Sequence, residues 1–304
     1  MNVANPVSGA QDSVAGVMKR VTSALLATAL AASATYAQPP ADAVPMSVTG
    51  RAVLTYLDEF ETGNSQLRYA IEQQQTRRRF RLNFEGEPPA NLRSGQPITV
   101  NGRGKGRNIY LAADGMQTPN APVALAQVAN GEQDTLVMVA NFTDVSVSCS
   151  VPEVQALMFT DANSQSVDDL YQEMSYGNVS LTGDVAGPYE ISASSSGCDL
   201  DGWADEADAA ATSAGYDPSS YSRRLYVMPQ NSCPASGVAD LGGDNSRAWV
   251  FRCSVADIYA HELGHNIGMH HAGTPQAHYG DTTDVMGMGL GKLRHVNGPH
   301  KEQM

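Results

Sequence analysis

The eleven residues HELGHNIGMHH, from His261 to His271, hold the side chains in this sequence best suited to chemistry. On a helix, His261 and His265 stand one turn apart, so both imidazoles leave the same face and can bind one metal ion. Glu262 stands beside them, where a carboxylate can take a proton from a metal-bound water without being a ligand itself. Gly268 permits a backbone turn that is costly for other residues, which lets the chain leave the helix and bring His271 round as a third ligand. Structural zinc sites are usually closed by four protein ligands, so three histidines with one open position predict a catalytic zinc. His270 stands one residue too early for that role and reads as a rim group.

The full string, HExxHxxGxxH, resembles the metzincin clan of zinc endopeptidases. The resemblance implies that His261, His265 and His271 bind one zinc ion and that Glu262 is the general base. Metzincins also carry a methionine turn beneath the metal. YGDTTDVMGMG follows at a suitable distance, with Met286 as the turn residue and Met288 as the alternative. Together with NGPHKEQM at the end of the sequence, these words look most like the gametolysin family of secreted or cell-wall-directed proteases. The implied substrate is a protein or peptide, and on the family resemblance a cell-wall or extracellular glycoprotein. Some metzincins place a metal-approaching tyrosine two residues after the turn methionine. Met288 stands there, which predicts that zinc and backbone donors stabilise the oxyanion without a phenol. The family also continues beyond an equivalent of residues 291–304, so a C-terminally truncated catalytic domain is expected.

Several elements must position these groups. Ser254 and Asp257 read as a cap for the histidine helix, whose core-facing stripe is Ala256, Tyr259, Leu263 and Ile267. The histidines fall off that stripe, as an open cleft requires. Before it come SGVADLGG and AWVFRC; by the metzincin resemblance the first is an edge strand able to take up an extended peptide. Further upstream, TLVMVAN, NVSLTGDV and RLYVMPQ read as strands. Between them stand two helix starts, Ser150 with Glu153 and Ser166 with Asp169, and the Ala-rich segment 203–214. Val167, Leu170, Tyr171 and Met174 form a helical apolar stripe. The expected fold is an α/β (α+β) metzincin-like catalytic domain with a mixed sheet and an active-site helix, preceded by a small all-β domain.

The segment expected to be all-β is residues 38–130. There SVTGRAVLTYL, RRRFRLNFEG, PITVNG and RNIYLAADG alternate with Gly, Pro and Asn, which suggests a small barrel or sandwich and a candidate propeptide. A linker is read at residues 117–133. The remainder, 131–304, is the expected zinc metalloprotease domain. Residues 1–37 contain Met18-Lys19-Arg20 followed by a short run of small and apolar residues, which reads as a secretory signal peptide with Met18 as an alternative start. Removal of that segment leaves no expected membrane span, and the product is expected outside the cell or in the periplasm.

Charge is unevenly placed: residues 133–304 carry 7 Lys+Arg against 22 Asp+Glu, within a net charge of -13. This argues against a nucleic-acid partner. Arg77, Arg78, Arg79 and Arg81 form a basic run that could face the acidic half. The four cysteines, Cys149, Cys198, Cys233 and Cys253, all fall in that half and allow three pairings. Cys149 with Cys198 and Cys233 with Cys253 is favoured, and the absence of cysteine before Cys149 excludes a cysteine-switch latch. Asp281 and Asp284 lack an EF-hand-like ligand sequence, so calcium is unsupported and both read as turn residues. His278, His295 and His300 read as surface or rim groups. The rival functions are a secreted binding module that keeps the fold without catalysis, and a zinc hydrolase acting on a non-peptide bond.

Overall fold

The computed structural model describes residues 38–118, 129–160, 165–289 and 291–304. The signal-peptide region 1–37 and most of the expected linker, 119–128, lie outside the described residues. Eleven strands join in one mixed sheet: β1 (Val44–Glu59), β2 (Asn64–Glu72), β3 (Arg79–Phe84), β4 (Pro97–Lys105), β5 (Asn108–Leu111), β6 (Met116–Gln117), β7 (Gly131–Asn141), β8 (Val179–Glu190), β9 (Arg223–Val227), β10 (Gly237–Asp240) and β11 (Ser246–Val250). Their order is β6-β4-β5-β3-β2-β1-β10-β11-β9-β7-β8, and β1 also pairs with β4. The pairings β1–β2–β3–β5–β4–β1 therefore close a circuit. Inside it lie Val48, Ala52, Leu54, Ile71, Ile98, Val100 and Ile109.

Strands β7, β8, β9 and β11 run parallel, so the chain must cross over between β7 and β8 and between β8 and β9. The first crossover carries α1 (Val151–Gln155), a π-helical turn (Ala156–Thr160) and α2 (Val167–Met174); the second carries α3 (Leu200–Ser213). Strand periodicity assigns the two faces. Val137, Val139, Leu225, Val227, Ala248 and Val250 pack with α2 and with α4 (Ala256–Asn266). Leu136, Met138, Tyr226 and Trp249 pack with α3 on the other side. Helices on both faces explain why TLVMVAN is a continuous apolar run.

Both predicted capping boxes form, Ser150 with Glu153 and Ser166 with Asp169, and the α2 stripe is fully buried. The cap expected for α4 does not form. Its N-cap is Val255 without a side-chain bond, and Asp257 instead accepts from the Gly291 amide at 2.8 Å. A tertiary donor has taken the acid that a local motif would have used. Residues 291–304 also join the core: α5 (Gly298–Lys301) is one short turn, and Val296 and Met304 are buried beside it.

The favoured cysteine pairing is also corrected. The disulfides are Cys149–Cys253 and Cys198–Cys233, with Cα separations of 6.0 and 4.7 Å. All four cysteines follow the C-terminal ends of parallel strands, which share one edge of the sheet. Cys149 and Cys253 lie with the cluster of α2 and α4, and Cys198 and Cys233 with the cluster of α3, so the pairing follows the two faces of the sheet.

Candidate metal centre

The histidine helix is held from below by its glycine. A Cβ at Gly264 would meet Met286 Sδ at 2.3 Å, so only glycine lets the buried turn methionine pack against α4. That turn is fixed by Asp284, fully buried, which accepts from the Met286 amide at 2.7 Å, the Asn297 amide at 2.8 Å and His300 Nδ1 at 2.8 Å. His300 is thus a buried partner of Asp284 and not a surface group, whereas His278 is exposed and His295 pairs with Glu173. Asp281 binds the Thr283 amide and hydroxyl, as a turn residue does. At the other end of α4, Gly268 adopts φ +100°, and Asn266 donates to the carbonyls of Asp240 and Arg247, tying the helix to the β10–β11 hairpin.

The three predicted histidines come together. His261 Nδ1 donates to the Val285 carbonyl at 2.8 Å and His265 Nδ1 to the Met269 carbonyl at 2.7 Å. These bonds fix the tautomer and leave each Nε2 as a lone pair. His265 Nε2 and His271 Nε2 lie 3.1 Å apart. Burial lowers the pKa of His265 and His271 and so favours the neutral imidazole, the form that binds a metal.

A fourth group converges on them that the sequence reading did not include. Asp58, fully buried, places Oδ2 3.0 Å from His265 Nε2 and 3.5 Å from His261 Nε2, and Oδ1 3.0 Å from His271 Nε2. The four ligand atoms lie within 4.8 Å of one another. Burial opposes the Asp58 charge, and the three imidazoles hold its carboxyl well below the usual carboxylate range only where an Nε2 carries a proton to donate. Ionised oxygens facing imidazole lone pairs at these distances would repel one another without a cation among them. The donor set therefore fits a metal ion.

Glu262 is fully buried beside this group, and neither carboxylate oxygen has a hydrogen-bond partner among the described residues. Burial, then the nearby Asp58 charge, pushes its pKa well above the usual range. It packs against β10 so closely that a Cβ at Gly237 would lie 2.1 Å from Glu262 Oε1. Aromatic rings close the remaining sides: Tyr56 stacks on His265 with centroids 4.6 Å apart, Phe60 meets His261 at 4.8 Å, and Tyr279 lies 4.4 Å from His271. The Tyr279 hydroxyl donates to Asp58 Oδ1 at 2.7 Å. His270 sits outside this shell, exposed and hydrogen-bonded to the Tyr56 hydroxyl at 2.9 Å.

The expected open cleft is consequently covered. The strand predicted to take up an extended peptide, β10, pairs antiparallel with β1, Thr55 opposite Asp240 through Asp58 opposite Gly237. The Asp58 position carried a readable signal. In RAVLTYLDEF it falls on the parity of Ala52 and Leu54, both buried, where an acid must have a partner. Tyr279 lies seven residues before Met286, not two after it where some metzincins carry a tyrosine, and its place in the sequence carried no such signal.

The fold is mixed α+β, and its site is a buried His3Asp cluster beside an unpartnered glutamate. The model of the gametolysin peptidase M11 family matches residues 134–297, and the chain belongs to that family. An autolysin of Chlamydomonas reinhardtii is 37% identical over 71 residues, covering 21% of this chain and 11% of the autolysin. Two solved structures are similar over much of the chain. Metalloproteinase-II from Bacteroides fragilis is 10% identical with a TM-score of 0.38, covering 86% of this chain and 90% of that one. A chaperone–substrate complex is 17% identical with a TM-score of 0.33, covering 69% and 34%. The chain thus belongs to a peptidase family and carries a buried cluster of the kind that can hold a metal ion. Two disulfides are consistent with an extracellular protein, and no helix among the described residues is long and apolar enough to cross a membrane.

Proposed function

We propose that the protein is a secreted, zinc-dependent endopeptidase of metzincin type. His261, His265 and His271 would hold the ion, and Glu262 would act as general base. The observation that carries this reading is the convergence of three Nε2 atoms, two with their Nδ1 tied to backbone carbonyls, beside a buried carboxylate that nothing else uses. Zinc, when bound, supplies a Lewis acid that polarises a carbonyl and lowers the pKa of water. Glu262 takes the proton of the attacking water and returns it to the leaving amine nitrogen as the peptide C–N bond breaks. Met286 supports the helix from beneath and touches neither reactant. The substrate is an extended stretch of protein laid against β10; a cell-wall or extracellular glycoprotein rests on the family resemblance alone.

One zinc per chain is the expected result of stoichiometric metal analysis. Removal by a chelator should abolish cleavage of an unstructured protein by the activated enzyme, and zinc should restore it. Cleavage that persists after complete metal removal would refute the mechanism. Cleavage of small esters but of no protein would favour a hydrolase of another class.

A further inference from the structure

Three histidines leave one coordination position open, and in this chain a carboxylate fills it. From the geometry we infer that Asp58 is the fourth protein ligand of the metal in the intact chain, and that residues 55–58 lie where a substrate strand would pair with β10. The chain is thus closed by its own first strand. This inference rests on the metalloprotease reading for its consequence, namely inhibition, but the ligand assignment stands on the four-atom cluster itself.

Several independent contacts place Asp58 there. Strand alternation turns Tyr56 and Asp58 towards the histidines while Leu57 enters the core on the opposite face of the sheet. On the adjoining backbone, Ser236 N–H donates to the Asp58 carbonyl at 2.7 Å and Leu241 N–H to the Leu54 carbonyl at 2.7 Å, which extends the β1–β10 pairing at both ends. Two oxygens of one side chain are shared among three imidazoles and a phenol, which a surface ion pair would not require. A residue occupying this position also excludes the water that a three-histidine site needs for hydrolysis. The function a cysteine would serve as a latch is thereby open to a carboxylate. Activation is the withdrawal of β1 from β10, which removes the fourth ligand and frees the edge strand in one movement.

The test uses the full chain loaded with cobalt(II) in place of zinc, with azide as a small probe ligand and the cobalt visible spectrum as readout. Wild type should be unchanged by azide, whereas Asp58→Ala should shift on addition. Asp58→Asn guards against misfolding of the alanine variant, because it keeps the shape and the Tyr279 contact while replacing a carboxylate with a far poorer ligand. Azide shifting wild type as readily as both variants would overturn the assignment. The same proteins are then given an unstructured protein substrate after zinc loading. Turnover should rise by at least about tenfold in the variants, since a larger fraction of molecules is competent. Turnover lower than wild type would make Asp58 part of the working site and refute the latch. The cobalt result as expected, with no cleavage by wild type or either variant, would instead sink the protease reading and leave the ligand assignment standing.

Discussion

Glu262→Gln is expected to keep one metal ion and the fold while peptide-bond turnover falls by at least about a hundredfold, the amount general-base catalysis supplies. The substitution suits the site because the amide has the same shape and burial already disfavours a charge there. Packing should survive for the same reason: Gly237 leaves room for a side chain of this length and no longer residue stands between helix and strand. Since β1 covers the cleft in the intact chain, the comparison belongs in a form with measurable turnover, such as the Asp58→Ala background, where both proteins carry the same open site. Metal content and melting temperature are read beside the rate. Near-normal turnover would remove Glu262 from the mechanism, whereas loss of metal would show that the carboxylate supports the ligands.

The parts of this site legible in the sequence were those encoded locally. His261 and His265 are one helical turn apart, Gly268 marks the end of that turn, and the α2 cap and stripe depend on residues within eight positions. Each follows from a period or a backbone preference that operates over a single element. What was not legible depends on which strands become neighbours. Asp58 reaches histidines more than two hundred positions away only because β1 pairs with β10, and the cysteines pair as they do because two join the cluster on one face of the sheet and two the cluster on the other. Asp257 shows the same limit from the other side. Its local pattern matched a cap, but the Gly291 amide brought in by the later chain took the carboxylate. Of the basic run, Arg79 is buried against acids, Arg77 donates to Asn245 Oδ1 at 2.7 Å, and Arg78 lies over the Phe80 ring. Charge asymmetry pointed to the right half of the molecule without showing which arginine would be buried.

That buried arginine gives the second large effect. Arg79, on β3, donates from Nε to Glu72 at 3.0 Å and through a two-pronged pair to Asp240 at 3.0 and 2.8 Å. Burial disfavours its charge, but Asp240, Asp201 and Glu72 outweigh that and raise its pKa. Asp240 also accepts from Thr55 Oγ1 and the Arg247 amide, each at 2.9 Å, so one carboxylate ties β3, β1 and β11 to β10. Arg79→Met would fill the space of the aliphatic stem but leave Asp240 and Glu72 buried with their main counter-charge gone. Breaking a buried pair in this way costs about 3–5 kcal/mol, read as a lowered denaturation midpoint of the full chain. The loss should be local as well as global, with amides at residues 55–58 exchanging hydrogen faster because Asp240 is the register partner of Thr55. Asp240→Asn combined with Arg79→Met should recover part of the stability, since the uncompensated charge is then removed. A single variant as stable as wild type to within about 0.5 kcal/mol, the range of an ordinary surface change, would show that the sheet joins across β1 and β10 without this clamp.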